Sequence, residues 1–100
     1  MEQVKIVGEE NGVLKIALSG DIDLGTAEEF YNAVNEAYAG TDVEFDCAEL
    51  NFIDSTTLGT FVKILKAVKS NGKSMKLSNL QSKIKKLFLI CSLDSVMEIA

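Results

Sequence analysis

The sequence predicts a single α/β domain, residues 1–100, in which helices pack on a mixed, mostly parallel β-sheet. Two apolar patterns alternate along the chain. In one, apolar residues occupy every second position, and in the other they recur every three to four positions. Strand–helix–strand connections of this kind require parallel strands. Asn11-Gly12, between the first two apolar segments, is a hairpin signal that adds an antiparallel edge.

The first half of the chain is predicted to form three strands and one helix. Leu14, Ile16 and Leu18 alternate on one face of a strand, and a polar, glycine-containing loop follows. Thr26, with Glu29 three residues later, has the pattern of a capping box that opens a helix. The predicted elements are strands at 4–7 and 13–18, a loop at 19–25, a helix near 27–39 with Ala27, Phe30, Val34, Ala37 and Tyr38 on its core face, and a half-buried strand at 43–47.

The second half is predicted to form two helices and two strands. Apolar residues at spacings of three and four line one face of a helix that ends at Asn71-Gly72, a helix terminator. Ser82 opens the last helix. The predicted elements are a helix near 56–70 with Leu58, Phe61, Val62, Leu65 and Val68 on one face, a strand at 75–77, a helix from Ser82 with Ile84, Leu87 and Phe88 inward, and a strand at 96–99.

The composition excludes several classes of protein. Hydrophobic residues make up 47% of the chain, which excludes a disordered protein, and no apolar run reaches the roughly 18 residues of a membrane span. Histidine and arginine are absent, so the chain lacks a Ser-His-Asp nucleophile, a histidine-rich metal site and a bidentate phosphate clamp. No glycine-rich phosphate loop occurs. We therefore expect no enzyme activity, no cofactor and no metal.

The termini and cysteines indicate a location. The N-terminal residues lack the basic start and long apolar stretch of a signal peptide. Cys47 and Cys91 both fall among apolar residues, which favours two buried free thiols in a reducing cytoplasm, with a disulfide as the alternative. We therefore expect a cytoplasmic protein that does not associate with a membrane.

Charge is unevenly distributed along the chain. Residues 1–54 hold thirteen acids and two lysines, a net −11, whereas residues 55–100 hold eight lysines and two acids, a net +6. Lys63, Lys66 and Lys69 lie on the solvent side of their predicted helix, either as an ordinary solvated face or as a handle for an acidic partner. The total of −5 and the absence of arginine argue against direct binding of nucleic acid.

The motif at residues 50–59 is the most informative part of the chain. An apolar run ends at Asp54, and Ser55, Thr56 and Thr57 follow at the start of the predicted helix. Serine and threonine are preferred helix caps, so Ser55 and Thr56 have a purely structural interpretation. A phosphate on a hydroxyl here would instead meet free backbone N–H groups and the positive end of the helix dipole. The motif is therefore also a candidate for reversible phosphorylation.

Three segments in order resemble one protein family. Residues 13–30 resemble its opening strand, acidic turn and first helix; 52–59, Phe-Ile-Asp-Ser-Thr-Thr-Leu-Gly, resemble its phosphorylation motif; and 83–88 resemble the start of its later helix. The family is the STAS domain, whose freestanding short members are bacterial anti-sigma-factor antagonists. The resemblance covers nearly the whole chain.

The resemblance implies a switch by partner exchange. In the family, the serine after the motif aspartate, here Ser55, is phosphorylated by an anti-sigma factor that is also a serine kinase. The unphosphorylated antagonist binds that factor and releases the sigma factor, and a serine phosphatase resets the switch. The family's acidic-turn aspartate corresponds to Asp23. Two departures are expected to matter: Thr57 replaces a usual glycine or alanine, and Ala100 ends the chain where many members continue into a helix.

The partner surface is expected at one end of the sheet. Loops that follow parallel strands meet at the carboxyl ends of those strands, where ligands usually bind in such folds. The alternative for Asp21 and Asp23 is that they only solvate and cap the turn before Thr26. The predicted partner-binding residues are Asp23, Leu24, Thr26, Asp54, Ser55, Thr56 and Leu58.

Three other functions are alternatives to the antagonist role. A small aspartate-based phosphatase would use Asp21 and Asp23, but Gly25 stands where such enzymes have threonine or valine. A receiver domain with Asp54 as phosphoacceptor would need an acidic pair after its first strand, whereas the pair here follows the second. A non-phosphorylated STAS subunit of a transporter or sensory complex remains open, because its sequence would look the same.

Overall fold

The computed structural model describes all 100 residues as five strands, three α-helices and one 3-10 turn. Every predicted helix and strand is present. The elements are β1 (Val4–Glu10), β2 (Val13–Ile22), α1 (Ala27–Ala37), β3 (Asp42–Ile53), α2 (Ser55–Ser70), β4 (Met75–Ser78), α3 (Ser82–Ile90), η1 (Leu93–Ser95) and β5 (Glu98–Ile99).

The strands form one sheet in the order β1-β2-β3-β4-β5, so each strand pairs with the next in the chain. β1 and β2 are antiparallel, and the other three pairs are parallel, which confirms the predicted mixed sheet. Asn11 and Gly12 have φ of 54° and 78°. Positive φ at both central residues belongs to the tight turn whose twist matches a hairpin, which confirms the hairpin prediction.

β3 runs six residues past its predicted end, and the reason is two bulges. Between the pairs Ala17–Asp46 and Ser19–Glu49, β3 advances three residues while β2 advances two. A second extra residue, Asn51, lies between the partners of Gly20 and Asp21. Each bulge breaks the two-residue alternation, so the inward residues after Cys47 come three apart. The alternation used to predict the strand therefore stopped at residue 47.

β2 also continues through part of the predicted loop. Residues 19–22 pair with the bulged end of β3, so the loop begins at Asp23 and not at Ser19. Ser19, Gly20 and Asp21 are polar or small, which favours a loop by composition, but pairing with β3 overrides that local preference.

The predicted helices are present, with different caps. α1 ends at Ala37, two residues early, and the predicted capping box is absent because the Thr26 side chain makes no cap hydrogen bond. α2 begins at Ser55, and Asp54 is its N-cap, so Ser55 and Thr56 are helix residues and not caps. α3 begins at Ser82 as predicted, with Gln81 at the N-cap position.

All three helices pack on one face of the sheet. Each parallel strand is connected to the next strand along the sheet, always in the same direction. Right-handed crossovers of this kind place their helices on the same face of the sheet. One ring network joins these layers: Phe61 of α2 meets the rings of Phe30, Phe45 and Phe88 at centroid distances of 5.1, 5.5 and 5.4 Å, each edge-on. Such contacts add about 0.5–1.5 kcal/mol each beyond apolar burial. α1, β3, α2 and α3 therefore share one core.

The predicted core faces are largely buried. Of these faces, the fully buried residues are Ala27, Phe30, Val34, Phe61, Leu65, Val68, Ile84 and Phe88. The rest of the predicted face residues are partly buried, among them Leu58, which packs on the edge of the core.

The two cysteines differ. Cys47 is fully buried, and burial, followed by the charge of Asp46, raises the pKa of its thiol to about 12. Cys91 is exposed and both thiols are free, so the prediction of two buried thiols is wrong for Cys91. Cys91 is the C-cap residue of α3, just past the end of the helix. Separately, none of the helices combines the length and apolar character needed to cross a bilayer.

Candidate functional site

The ends of β2 and β3 bring the two predicted site segments together. Ile22 pairs with Ile53 in the last rung of the β2–β3 ladder, and both side chains are buried. Asp23 and Asp54 are the first residues after these two strands end, so the two loops leave the sheet side by side. The sheet register thus joins the segments at 23–26 and 54–58, which are about thirty residues apart in sequence.

Asp54 links the two loops through both carboxylate oxygens. Oδ1 accepts the backbone N–H of Thr57 at 3.0 Å, which caps α2, and Oδ2 accepts the backbone N–H of Leu24 at 2.8 Å. The Thr57 N–H bond, followed by the Leu24 N–H and the Thr57 hydroxyl, holds the pKa of Asp54 below its ordinary value. Asp54 is therefore charged at neutral pH and fixed in position.

Thr57 provides a second, buried link between the loops. Its side chain is fully buried, and its hydroxyl lies 2.6 Å from the carbonyl oxygen of Ile22 and 3.0 Å from Oδ1 of Asp54. Both oxygens are within hydrogen-bond distance of the hydroxyl, and the Ile22 carbonyl is the nearer acceptor. The sequence marked Thr57 only as a departure from the family's usual glycine or alanine; in the structure its hydroxyl fastens the start of α2 to the end of β2.

Ser55 has the opposite environment. It is exposed at the first position of α2, and its hydroxyl makes no hydrogen bond within the chain. Thr56 is likewise exposed, and only its backbone carbonyl is engaged, by the Thr60 hydroxyl at 3.1 Å. The first N–H groups of a helix have no acceptor inside it. The free hydroxyl of Ser55 therefore lies beside unpaired backbone N–H groups at the start of α2, which is the positive end of the helix dipole.

Asp23 and Thr26 form a compact turn before α1. Oδ1 of Asp23 accepts the backbone N–H of Gly25 at 3.0 Å, and the Thr26 hydroxyl accepts the Asp23 N–H, also at 3.0 Å. The Asp23 carbonyl accepts the N–H groups of Thr26 and Ala27. These side chains order the loop that presents Leu24, so the structural role considered for Asp23 is present alongside any role in binding.

Apolar side chains stand exposed among these polar groups. Leu24 is 74% exposed at the tip of its loop, and Phe52 is 48% exposed two residues before Asp54. Sequence reasoning missed Phe52, because the strand was predicted to end before it. The signal available in the sequence was that Phe52, a large aromatic residue, is adjacent to the inward-facing Ile53. A solvent-facing leucine and phenylalanine beside a free serine favour a protein-binding surface.

The charges around the site are negative. Asp21 is the second-to-last residue of β2, Asp23 and Asp54 directly follow β2 and β3, and Glu28 and Glu29 occupy the first turn of α1. The two ion pairs of the chain, Lys15–Glu10 and Lys76–Glu98, lie elsewhere. No group of three or more cysteine or carboxylate side chains is arranged to hold a metal ion. The site can therefore offer hydrogen bonds, apolar contacts and negative charge to a partner.

Comparison with known proteins assigns the family. The family model "STAS domain" matches residues 5–100. The anti-sigma-B factor antagonist of Bacillus subtilis is 33% identical over 98 residues, which cover 97% of this chain and 89% of the relative. That of Listeria monocytogenes is 29% identical over 98 residues, covering 96% of this chain and 86% of the relative.

Solved structures share the fold. A candidate anti-sigma factor antagonist from Thermotoga maritima superposes with a TM-score of 0.79 at 24% identity, covering 96% of this chain and 82% of that one. The Bacillus cell fate determinant SpoIIAA in its phosphorylated form gives 0.71 at 20% identity, covering 98% and 89%. With the family model matched over almost its whole length, the chain belongs to the STAS domain family.

Proposed function

We propose that this protein is an anti-sigma-factor antagonist controlled by phosphorylation of Ser55. The unphosphorylated form binds an anti-sigma factor that is also a serine kinase and displaces the sigma factor, and a serine phosphatase restores the binding form. The relatives named as anti-sigma-B factor antagonists support this role. The partner-binding residues we assign are Asp23, Leu24, Thr26, Asp54, Ser55, Thr56 and Leu58.

One observation carries the proposal: the Ser55 hydroxyl is exposed and unbonded, whereas the groups around it are fixed. A kinase must reach the hydroxyl and place it in line with a phosphate, which a buried or hydrogen-bonded group resists. Asp54 and Thr57 hold the backbone on either side of Ser55 through the contacts described above. The serine is therefore presented by a rigid frame.

A phosphate on Ser55 would act on the partner and leave the fold in place. It adds about −1.5 to −2 charges at neutral pH, and the helix dipole favours that charge by roughly 0.3–1 kcal/mol at an exposed site. The nearby charges of Asp23 and Asp54 oppose it. A partner surface shaped for a neutral hydroxyl would meet a hydrated dianion, and a loss of about 2.8 kcal/mol lowers affinity about a hundredfold.

The test uses the anti-sigma factor of the same cell, purified. After incubation with that kinase and ATP, mass spectrometry is expected to locate one phosphate on Ser55, and titration calorimetry to show at least about hundredfold weaker binding by the modified form. Ser55→Ala is expected to bind but resist phosphorylation, and Ser55→Asp to bind poorly. Thr56→Ala is the matched control for the site of modification and is expected to be phosphorylated on Ser55 as wild type is. Phosphate on Thr56 or Thr57, or undiminished binding by the modified form, would refute the mechanism.

We also propose that the chain is not itself an enzyme and acts in the cytoplasm. Asp21 is exposed, and Oδ1 of Asp23 accepts the N–H of Gly25 in its own turn. This geometry gives no support to the aspartate-based phosphatase considered above. Assays of generic phosphatase and nucleotidase substrates with Mg²⁺ are expected to give no turnover. Turnover that disappears in Asp21→Asn would revive the phosphatase.

A further inference from the structure

A shallow apolar pocket lies beside the Ser55 surface, between the end of β3 and the start of α3. Its volume is about 170 Å³. Ile53 and Ile84 form a buried apolar floor, and Leu87 and the exposed ring of Phe52 form the sides. Its β3 residues, Asn51, Phe52 and Ile53, lie two to four positions before Ser55 in the sequence, so the pocket adjoins the surface assigned above to the partner.

The walls of this pocket are tied to each other. Asn51, the extra residue of the second bulge in β3, accepts a hydrogen bond through Oδ1 from the side-chain amide of Gln81 at 3.1 Å. Gln81 is the N-cap residue of α3, so the bond connects the end of β3 to the start of that helix. The pocket is thus formed before any partner arrives, which lowers the entropy cost of filling it.

The edge of the pocket carries the opposite charge to the rest of the surface. Lys83 lines it and is exposed, and Lys85 and Lys86 follow two and three residues later in the sequence. The first turn of α3 contains no acid, although a helix start favours negative side chains. Helix stability therefore does not explain these lysines. The surface presents carboxylates at Asp23 and Asp54 and an ammonium group at the pocket, across the exposed Phe52.

We infer that this pocket is a second docking point for the anti-sigma factor, and the inference rests on the function proposed above. The occupant is a large apolar side chain of the partner with a carboxylate beside it, which pairs with Lys83. Apolar anchors in preformed pockets contribute much of the affinity of protein complexes. A lysine beside the pocket excludes partners that carry a basic group there, so the contact selects among anti-sigma factors.

The pocket and the phosphorylation site have separate roles in partner binding. Phosphate on Ser55 sets whether the complex forms, because it adds charge at the centre of the surface. The pocket sets which partner binds, because its shape and its charge do not change on phosphorylation. Variants of the pocket are therefore expected to bind the partner weakly. At high kinase concentration they are still expected to be phosphorylated, as detected by mass spectrometry.

The test is titration calorimetry of four forms against the purified anti-sigma factor of the same cell. Phe52→Ala and Lys83→Glu are each expected to weaken binding about tenfold or more. Ile90→Ala is the matched control, because Ile90 is 78% exposed on the same helix but lies at its other end. It is expected to bind within about twofold of wild type.

The outcomes separate the two proposals. If wild type does not bind the anti-sigma factor, the proposed function fails. If wild type binds, and either Phe52→Ala or Lys83→Glu binds within about twofold of it, the pocket is not a docking point and the function stands. Lys83 is exposed and makes no ion pair in the chain, so Lys83→Glu keeps the test decisive should Phe52→Ala melt early.

Discussion

Replacing Thr57 by valine tests whether its hydroxyl fastens α2 to β2. Valine keeps the branched shape in a fully buried site, so the change removes the hydroxyl and little else. The Ile22 carbonyl then loses the donor that lies 2.6 Å away, and Asp54 loses one of the groups that stabilise its charge. Leaving a buried acceptor without its partner costs about 1–3 kcal/mol.

The expected loss is large enough to measure easily. For a domain of this size, about 1 kcal/mol shifts the melting temperature by roughly 4–8 °C. Thr57→Val is therefore expected to melt about 5–20 °C below wild type. Thermal unfolding followed by circular dichroism, with urea unfolding at fixed temperature, gives the change in free energy directly.

Thr56→Val is the matched control for this prediction. Thr56 is adjacent, exposed and has an unbonded hydroxyl, so the same chemical change there is expected to alter the free energy of unfolding by less than about 0.5 kcal/mol. Equal stabilities of Thr57→Val and Thr56→Val would refute the reasoning, because they would mean that the hydroxyl contact of Thr57 contributes nothing to holding the two segments together.

Two further predictions follow from the titrating groups. The folded-state pKa of Asp54 lies below its ordinary 3.8, so its stabilising contribution is present above about pH 4 and is lost as pH falls through the folded-state value. The stability difference between wild type and Asp54→Asn, measured by urea unfolding from pH 7 to pH 3, is expected to narrow in acid; a constant difference would contradict this assignment. A thiol reagent such as Ellman's is expected to modify one cysteine in the folded protein at pH 8, and none in Cys91→Ser, because Cys47 is buried with its pKa raised to about 12. Two reactive thiols in native wild type would count against the burial of Cys47.

Sequence reasoning predicted the parts of the fold that depend on local patterns. The repeat of three to four residues located α1, α2 and α3, and Asn11-Gly12 located the hairpin, because both signals act over a few neighbouring residues. The parallel order of β2 to β5 followed from chain connectivity. The side-by-side placement of Asp23 and Asp54 was expected on the same grounds.

The rest depended on interactions between distant parts of the chain. The bulges in β3 arise from its pairing with β2, so alternation along β3 alone could not show that the strand reaches Ile53. The link from Thr57 to Ile22 joins residues 35 positions apart, and no local pattern marks it. Without the full length of β3, Phe52 could not be recognised as part of the site, nor could the pocket that it borders.

The order of the strands also bears on how quickly the protein folds. Because each strand pairs with its immediate successor, the sheet can be built by adding one unit at a time from the N-terminus, and no connection spans the whole chain. Folds with such short-range pairing close few long loops and fold quickly for their class. The chain also contains no proline, so no slow prolyl isomerisation step delays it. We expect refolding from urea to proceed in one fast phase, with the strands able to assemble while the polypeptide is still being synthesised.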